Sequence, residues 1–110
     1  MRQMLGRVAD QWTLELIEAL DGPGVLRFTE LRTRVTGISQ KMLTKTLRQL
    51  ERDGLVTRTV HPVVPPRVDY QLTDLGRALG EAVCGIWLWV EANVEQVEAA
   101  RRDYDARKAP

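Results

Sequence analysis

The chain has 110 residues, 44% of them hydrophobic and 28% charged, with a formal net charge of +1 and a single cysteine. This is the length of one domain with one modest core, and it excludes an internal disulfide framework and a four-thiolate metal site. The charge is uneven: residues 1–24 carry −2, residues 25–70 carry +5 and residues 71–110 carry −2, so the middle of the chain is a positive island.

Met1, Met4, Leu5 and Val8 fall at i, i+3, i+4 and i+7, which predicts a first helix over 1–9. Asp10 is placed to cap a second, whose apolar stripe is Trp12, Leu16, Ile17 and Leu20, and DGPG at 21–24 ends it. Leu26 and Phe28 flank Arg27 in a short extended piece. Thr29 is placed to cap a third helix with Leu31 and Val35 inward, and Gly37 allows a tight turn.

Residues 39–53, SQKMLTKTLRQLERD, have both ends marked. Ser39 is an N-cap, Ile38 and Leu43 are spaced as a hydrophobic staple, and Gly54 follows as a stop. Leu43, Leu47 and Leu50 lie within an arc of ~60° by the helical repeat. Lys41, Lys45, Arg48 and Arg52 lie opposite them, with Met42, Thr44 and Gln49 at the borders.

LVTRTVH at 55–61 is rich in β-branched residues and predicts a strand, PVVPP at 62–66 a loop, and the alternation of Val68, Tyr70 and Leu72 with Arg67, Asp69 and Gln71 a second strand with one dry face. Thr73 is placed to cap a last helix running past residue 100. Its stripe is Leu75, Leu79, Ala82, Val83, Ile86, Val90, Val94 and Val97, and Cys84, Trp87, Leu88 and Trp89 carry apolar surface round the rest. About 30 helical residues would span ~45 Å, more than a small domain is wide. A second copy of the chain is the expected cover. Cys84 is expected to be a small buried hydrophobe, and RRDYDARKAP to fray.

This order is that of a winged helix-turn-helix: mainly α with a small β-hairpin wing, an α+β fold dimerising through its N- and C-terminal helices. It is expected to be a single domain over 1–105, with a helix-turn-helix core at 26–72, dimerisation helices at 1–9 and 74–100, and a disordered tail at 106–110. In such folds the second helix of the turn enters the major groove of double-stranded DNA. The leucines of 39–53 would hold that helix to the core and leave its basic face for phosphates and base edges.

The expected DNA-binding residues are Ser39, Gln40, Lys41, Met42, Thr44, Lys45, Arg48 and Arg67. Ser39 and the free N–H groups at the helix start suit a phosphate. Gln40, Lys41, Thr44 and Lys45 can reach base edges, and Arg48 the backbone. Arg67, directly after PVVPP, sits where a basic side chain enters a minor groove or clamps a phosphate. Arg58 and His61, on the same hairpin, are weaker candidates, and Arg52 is at the far end. The expected dimer interface is Met4, Leu5, Val8, Ile86, Trp87, Trp89, Val90 and Val94, with Trp87 or Trp89 also able to line a small-molecule site.

One His and one Cys cannot form a thiolate–imidazole metal site, and no nucleophile elbow or complete phosphate-binding glycine loop is present. No enzyme activity and no cofactor are expected. The longest apolar run, residues 82–90, is far short of the ~20 residues of a membrane span. No leader is expected at MRQMLGRVADQW, and the single cysteine fits the cytoplasm.

QWTLELIEAL, RFTELRTRVTGISQKMLTKTLRQLERDGLVTR and PPRVDYQLTDLG, spread over roughly Leu5 to Trp87, resemble the HxlR-type winged helix-turn-helix transcriptional regulators of bacteria, relatives of the MarR group. The resemblance implies a homodimer on a near-palindromic operator. Many members of the family sense electrophiles or oxidants through a cysteine ahead of the first helix. That position is expected to fall upstream of Met1, Cys84 cannot inherit the role by position, and the Gly-Gly-Lys often found before the tryptophan is here Ala9-Asp10-Gln11. A non-covalent effector at the dimer interface, or none, is the expectation. The alternative from a different class is a winged-helix protein-interaction module without DNA binding.

Overall fold

The computed structural model describes Arg2, Leu5, Gly6 and residues 10–108. Leu5 and Gly6 are helical and Leu5 is exposed, whereas Met1, Met4 and Val8 of the expected first helix lie outside the described residues. Asp10 caps α1 (Gln11–Asp21), its Oδ1 accepting from the Trp12 N–H at 2.9 Å and the Thr13 N–H at 3.3 Å. Leu16, Ile17 and Leu20 are buried as the stripe predicts, and Thr13 joins them.

β1 (Val25–Arg27) lies one residue earlier than the extended piece expected at 26–28, because Phe28 opens α2 (Phe28–Arg34). The cap of α2 is correspondingly Arg27 and not Thr29. The Glu30 carboxylate reaches back to accept from the Arg27 N–H at 3.0 Å, satisfying a donor the helix start leaves free. Leu31 and Val35 are buried, and Gly37 turns the chain at φ +88° into α3 (Gln40–Arg52). Gly54, at φ +76°, turns it out again.

β2 (Val56–His61) and β3 (Arg67–Leu72) form the antiparallel hairpin, with Arg58 opposite Tyr70 and His61 opposite Arg67. β1 pairs with the other edge of β3, Leu26 opposite Tyr70, so the sheet order is β1-β3-β2. The face carrying Leu26, Val56, Tyr70 and Leu72 packs on the helices, and all four belong to or border one core that also holds Ile38, Leu43, Leu47 and Leu50. Each fully buried leucine contributes about 1.5–3 kcal/mol of transfer free energy.

Thr73 joins the sheet to α4 (Asp74–Lys108). Its hydroxyl donates to the Gly54 carbonyl at 2.6 Å and accepts from the Gly76 N–H at 3.0 Å, and its own N–H donates to the Leu55 carbonyl at 3.0 Å. At 35 residues α4 is ~52 Å long, and it sets the long axis of a body 65 × 26 × 26 Å.

Two expectations for this helix are corrected. The row that meets α1 and the sheet is Gly76, Gly80 and Val83, with Leu79 beside it, and Leu75 is 60% exposed. Small residues let the backbones approach, so the contact row falls on them and not on the bulkiest side chains. The helix also continues to Lys108, three residues into the stretch expected to be a disordered tail.

Candidate nucleic-acid interface

The Ser39 hydroxyl accepts from the Met42 N–H at 3.0 Å, fixing the start of α3. Leu43, Thr46, Leu47 and Leu50 are buried along one side, and Ile38, just ahead of the cap, is buried with Leu43. On the opposite side Lys41, Lys45, Arg48 and Arg52 are exposed, and none has a hydrogen bond or ion pair among the described residues. Four unpaired cations on a well-anchored cylinder form a concentrated positive surface. The core-side leucines set its direction.

The remaining sequence candidates on α3 divide. Gln40 is exposed at the helix start. Thr44 is half-buried and its hydroxyl donates to the Gln40 carbonyl at 2.9 Å, which leaves only the oxygen lone pairs and the methyl group for an outside contact. Met42 turns its side chain to the core and is half-buried there, so its part in the face is its N–H on Ser39. Gln40, Thr44 and Arg48 border both the outward face and a cavity of about 460 Å³ between α3 and the hairpin.

The wing differs most from expectation. Asp69, on the strand face expected to be wet, is only 8% exposed. Arg67 lies over it, Nε to Oδ1 at 3.0 Å and one terminal nitrogen to Oδ2 at 3.2 Å, and the His61 Nε2 stands 2.9 Å from Oδ2. The hydrogen bond from Arg67 holds the Asp69 carboxyl below its ordinary pKa, with His61 adding to the effect against desolvation, and Asp69 in turn raises the Arg67 guanidinium. Arg67 is therefore a partnered, half-exposed side chain and not a free cation at the loop tip. Its spacing of two residues from Asp69 on a strand, which puts both on one face, is the signal that could have revealed the pair. Arg58 lies on the other face of the hairpin, opposite Tyr70, exposed and without a partner among the described residues.

On α4, Ile86, Leu88, Trp89, Val90 and Val94 are exposed, from 38% to 61%, and Trp87 is 37% exposed. Trp87 lines a cavity of about 390 Å³ with Val83, Cys84 and Leu88, beside the carboxylates Glu18 and Asp21 of α1. Cys84, expected to be buried, is exposed in the chain, whereas its neighbour Val83 is the buried residue of that turn. Among the described residues no helix is long and apolar enough to cross a membrane.

The model of the HxlR-like helix-turn-helix family matches residues 7–98. The chain is 41% identical over 100 residues to the HTH-type transcriptional regulator YtfH of Escherichia coli K12, covering 91% of this chain and 79% of that protein. Among solved structures it is similar to the transcriptional regulator ytfH from Salmonella typhimurium, with a TM-score of 0.82 and 40% identity over 92% of this chain and 89% of the other. A MarR-family transcriptional regulator from Enterococcus faecalis V583 superposes with a TM-score of 0.75 and 36% identity, covering 89% and 88%. All three relatives are named as transcriptional regulators. With a capped, outward-facing basic helix and a hairpin beside it, the chain belongs to the HxlR-like helix-turn-helix family of DNA-binding transcriptional regulators.

Proposed function

We propose that the protein acts as a homodimer on a near-palindromic double-stranded operator, with the core 26–72 on DNA and the helices 1–9 and 74–100 joining the subunits. The observation that carries this is the outer face of α3, where cations stand unpaired while the opposite face is anchored by leucines. Ser39 and the N–H groups of the first turn orient α3 on a phosphate. Gln40, Lys41, Thr44 and Lys45 reach base edges, Arg48 meets the backbone, and Met42 serves through its main chain. Arg67, held in one orientation by Asp69, presents its free edge at the minor groove beside the wing.

Dimerisation would cover the apolar surface that α4 leaves open at Ile86, Trp87, Trp89, Val90 and Val94, together with Met4, Leu5 and Val8 of the first helix. Two α3 helices would then stand about 34 Å apart, reading half-sites one turn of DNA apart. A small molecule seated beside Trp87, where α1 meets α4, would bias that spacing as an effector.

Selecting bound fragments from the genome and titrating one of them at two salt concentrations, with the mass in solution measured by light scattering, tests the proposal. Two chains per particle and an affinity falling with salt at about 0.9 logarithmic units per neutralised phosphate are expected. Salt-insensitive binding, no binding, or the mass of one chain would overturn it.

A further inference from the structure

When a helix lies in the major groove and a hairpin tip reaches the adjacent minor groove, one sugar–phosphate strand separates the two. That strand has to run between helix and hairpin. Here the passage is the cavity of about 460 Å³ bounded by Gln40, Thr44 and Arg48 of α3 and by Arg58, Val68 and Tyr70 of the hairpin.

Its charged lining is Arg48, Arg58 and Glu51, leaving one net positive charge, and none of the three side chains has a partner among the described residues. The register explains why Arg58 stands there. Arg58 pairs with Tyr70, whose face carries Leu26 and Leu72 onto the core, so Arg58 emerges on the helix side of the hairpin just beyond the packed layer. Arg67, Asp69 and His61 occupy the reverse face, where the carboxylate already compensates the guanidinium.

We propose that Arg58, with Arg48 across the channel, forms a phosphate clamp for the DNA strand that passes between α3 and the wing, and that the wing's electrostatic hold on DNA comes from Arg58 and not from Arg67. This rests on the DNA-binding reading above and deepens it. A guanidinium without a carboxylate partner displaces condensed counterions from the phosphate it meets, whereas the neutral Arg67–Asp69 pair displaces essentially none. The clamp contacts backbone only, so it positions the duplex and carries no base information.

The test is the salt dependence of binding to a mixed-sequence duplex and to a selected genomic fragment. Arg58→Gln is expected to lower the slope by about 0.9 per clamp, about 1.8 for the two clamps of the dimer, and to weaken both duplexes by on the order of tenfold per clamp, with their ratio unchanged. Arg58→Lys, which keeps the charge, restores the slope. The double replacement Arg67→Gln with Asp69→Asn, which leaves net charge unaltered, keeps the wild-type slope. Thermal melting of each variant establishes that it is folded, and among the described residues Arg58 has no hydrogen-bond or ion-pair partner whose loss would unfold it. A wild-type slope in a folded Arg58→Gln protein, or a drop confined to the Arg67–Asp69 double variant, overturns the clamp while leaving DNA binding intact. Failure of the wild-type protein to bind either duplex overturns the DNA-binding reading and the clamp with it.

Discussion

Gly76 sits where the sheet hands over to α4, and replacing it with alanine is expected to loosen that joint. A Cβ at this position would overlap the Leu55 carbonyl oxygen and come within 3.1 Å of both the Leu55 carbonyl carbon and Leu72 Cδ2. The first obstacle is main chain, so it cannot be relieved by a rotamer change. Leu55 O also accepts from the Thr73 N–H at 3.0 Å, and displacing it strains that bond and the Thr73–Gly54 contact beside it.

Overpacking of this kind costs about 1–3 kcal/mol, and a weakened hydrogen bond adds about 1 kcal/mol. Against these, alanine gains about 0.5–1 kcal/mol of helix propensity over glycine. The net is a destabilisation of about 1–3.5 kcal/mol, which for a chain of this size lowers the melting midpoint by roughly 5–15 °C. Thermal unfolding followed by helical circular dichroism measures it. Gly80→Ala is the internal control: its Cβ would meet only Asp21 and Ile17 side-chain atoms at 3.5–3.6 Å, so the propensity gain should leave stability equal or raised. Melting of Gly76→Ala at or above the wild-type midpoint would refute the reasoning.

Lys45→Ala should narrow the affinity gap between a selected genomic fragment and mixed-sequence DNA, while Arg48→Ala should weaken both alike, and competition titrations separate the two outcomes. Asp69 stabilises the fold above its unfolded pKa, and because its folded value is depressed by Arg67, that contribution is lost as pH falls through the folded value. Melting midpoints followed from neutral into acid pH should therefore fall more steeply for the wild-type protein than for Asp69→Asn. Trp89→Glu places a charge in the exposed apolar surface of α4 and is expected to shift the protein from two chains to one in sedimentation equilibrium, with operator affinity falling in parallel.

The extent to which the sequence spoke for itself differs from element to element. α3 was legible almost to the residue, since a serine cap, a staple and a glycine stop are local devices and the leucine spacing needs only the helical repeat. The cap of α1 by Asp10 and the joint at Thr73 were legible for the same reason. The end of β1 was not: a glutamate three residues on competes with a threonine for the role of organising the start of α2, and the outcome depends on how Leu26 and Phe28 share the core.

Local spacing alone thus determined α1, α3, the hairpin, the basic face of α3 and the apolar excess of α4, because each arises from interactions within a turn or two of chain. Tertiary structure alone decided which cations are free. Arg67 and Arg58 look alike in the sequence, yet strand register sets them on opposite faces of one hairpin, one over a nearly buried carboxylate and the other over an open channel. It also decided that α4 meets α1 through Gly80 and Val83 and not through its largest side chains, since close approach of two backbones is a property of the pair of helices and of neither sequence separately.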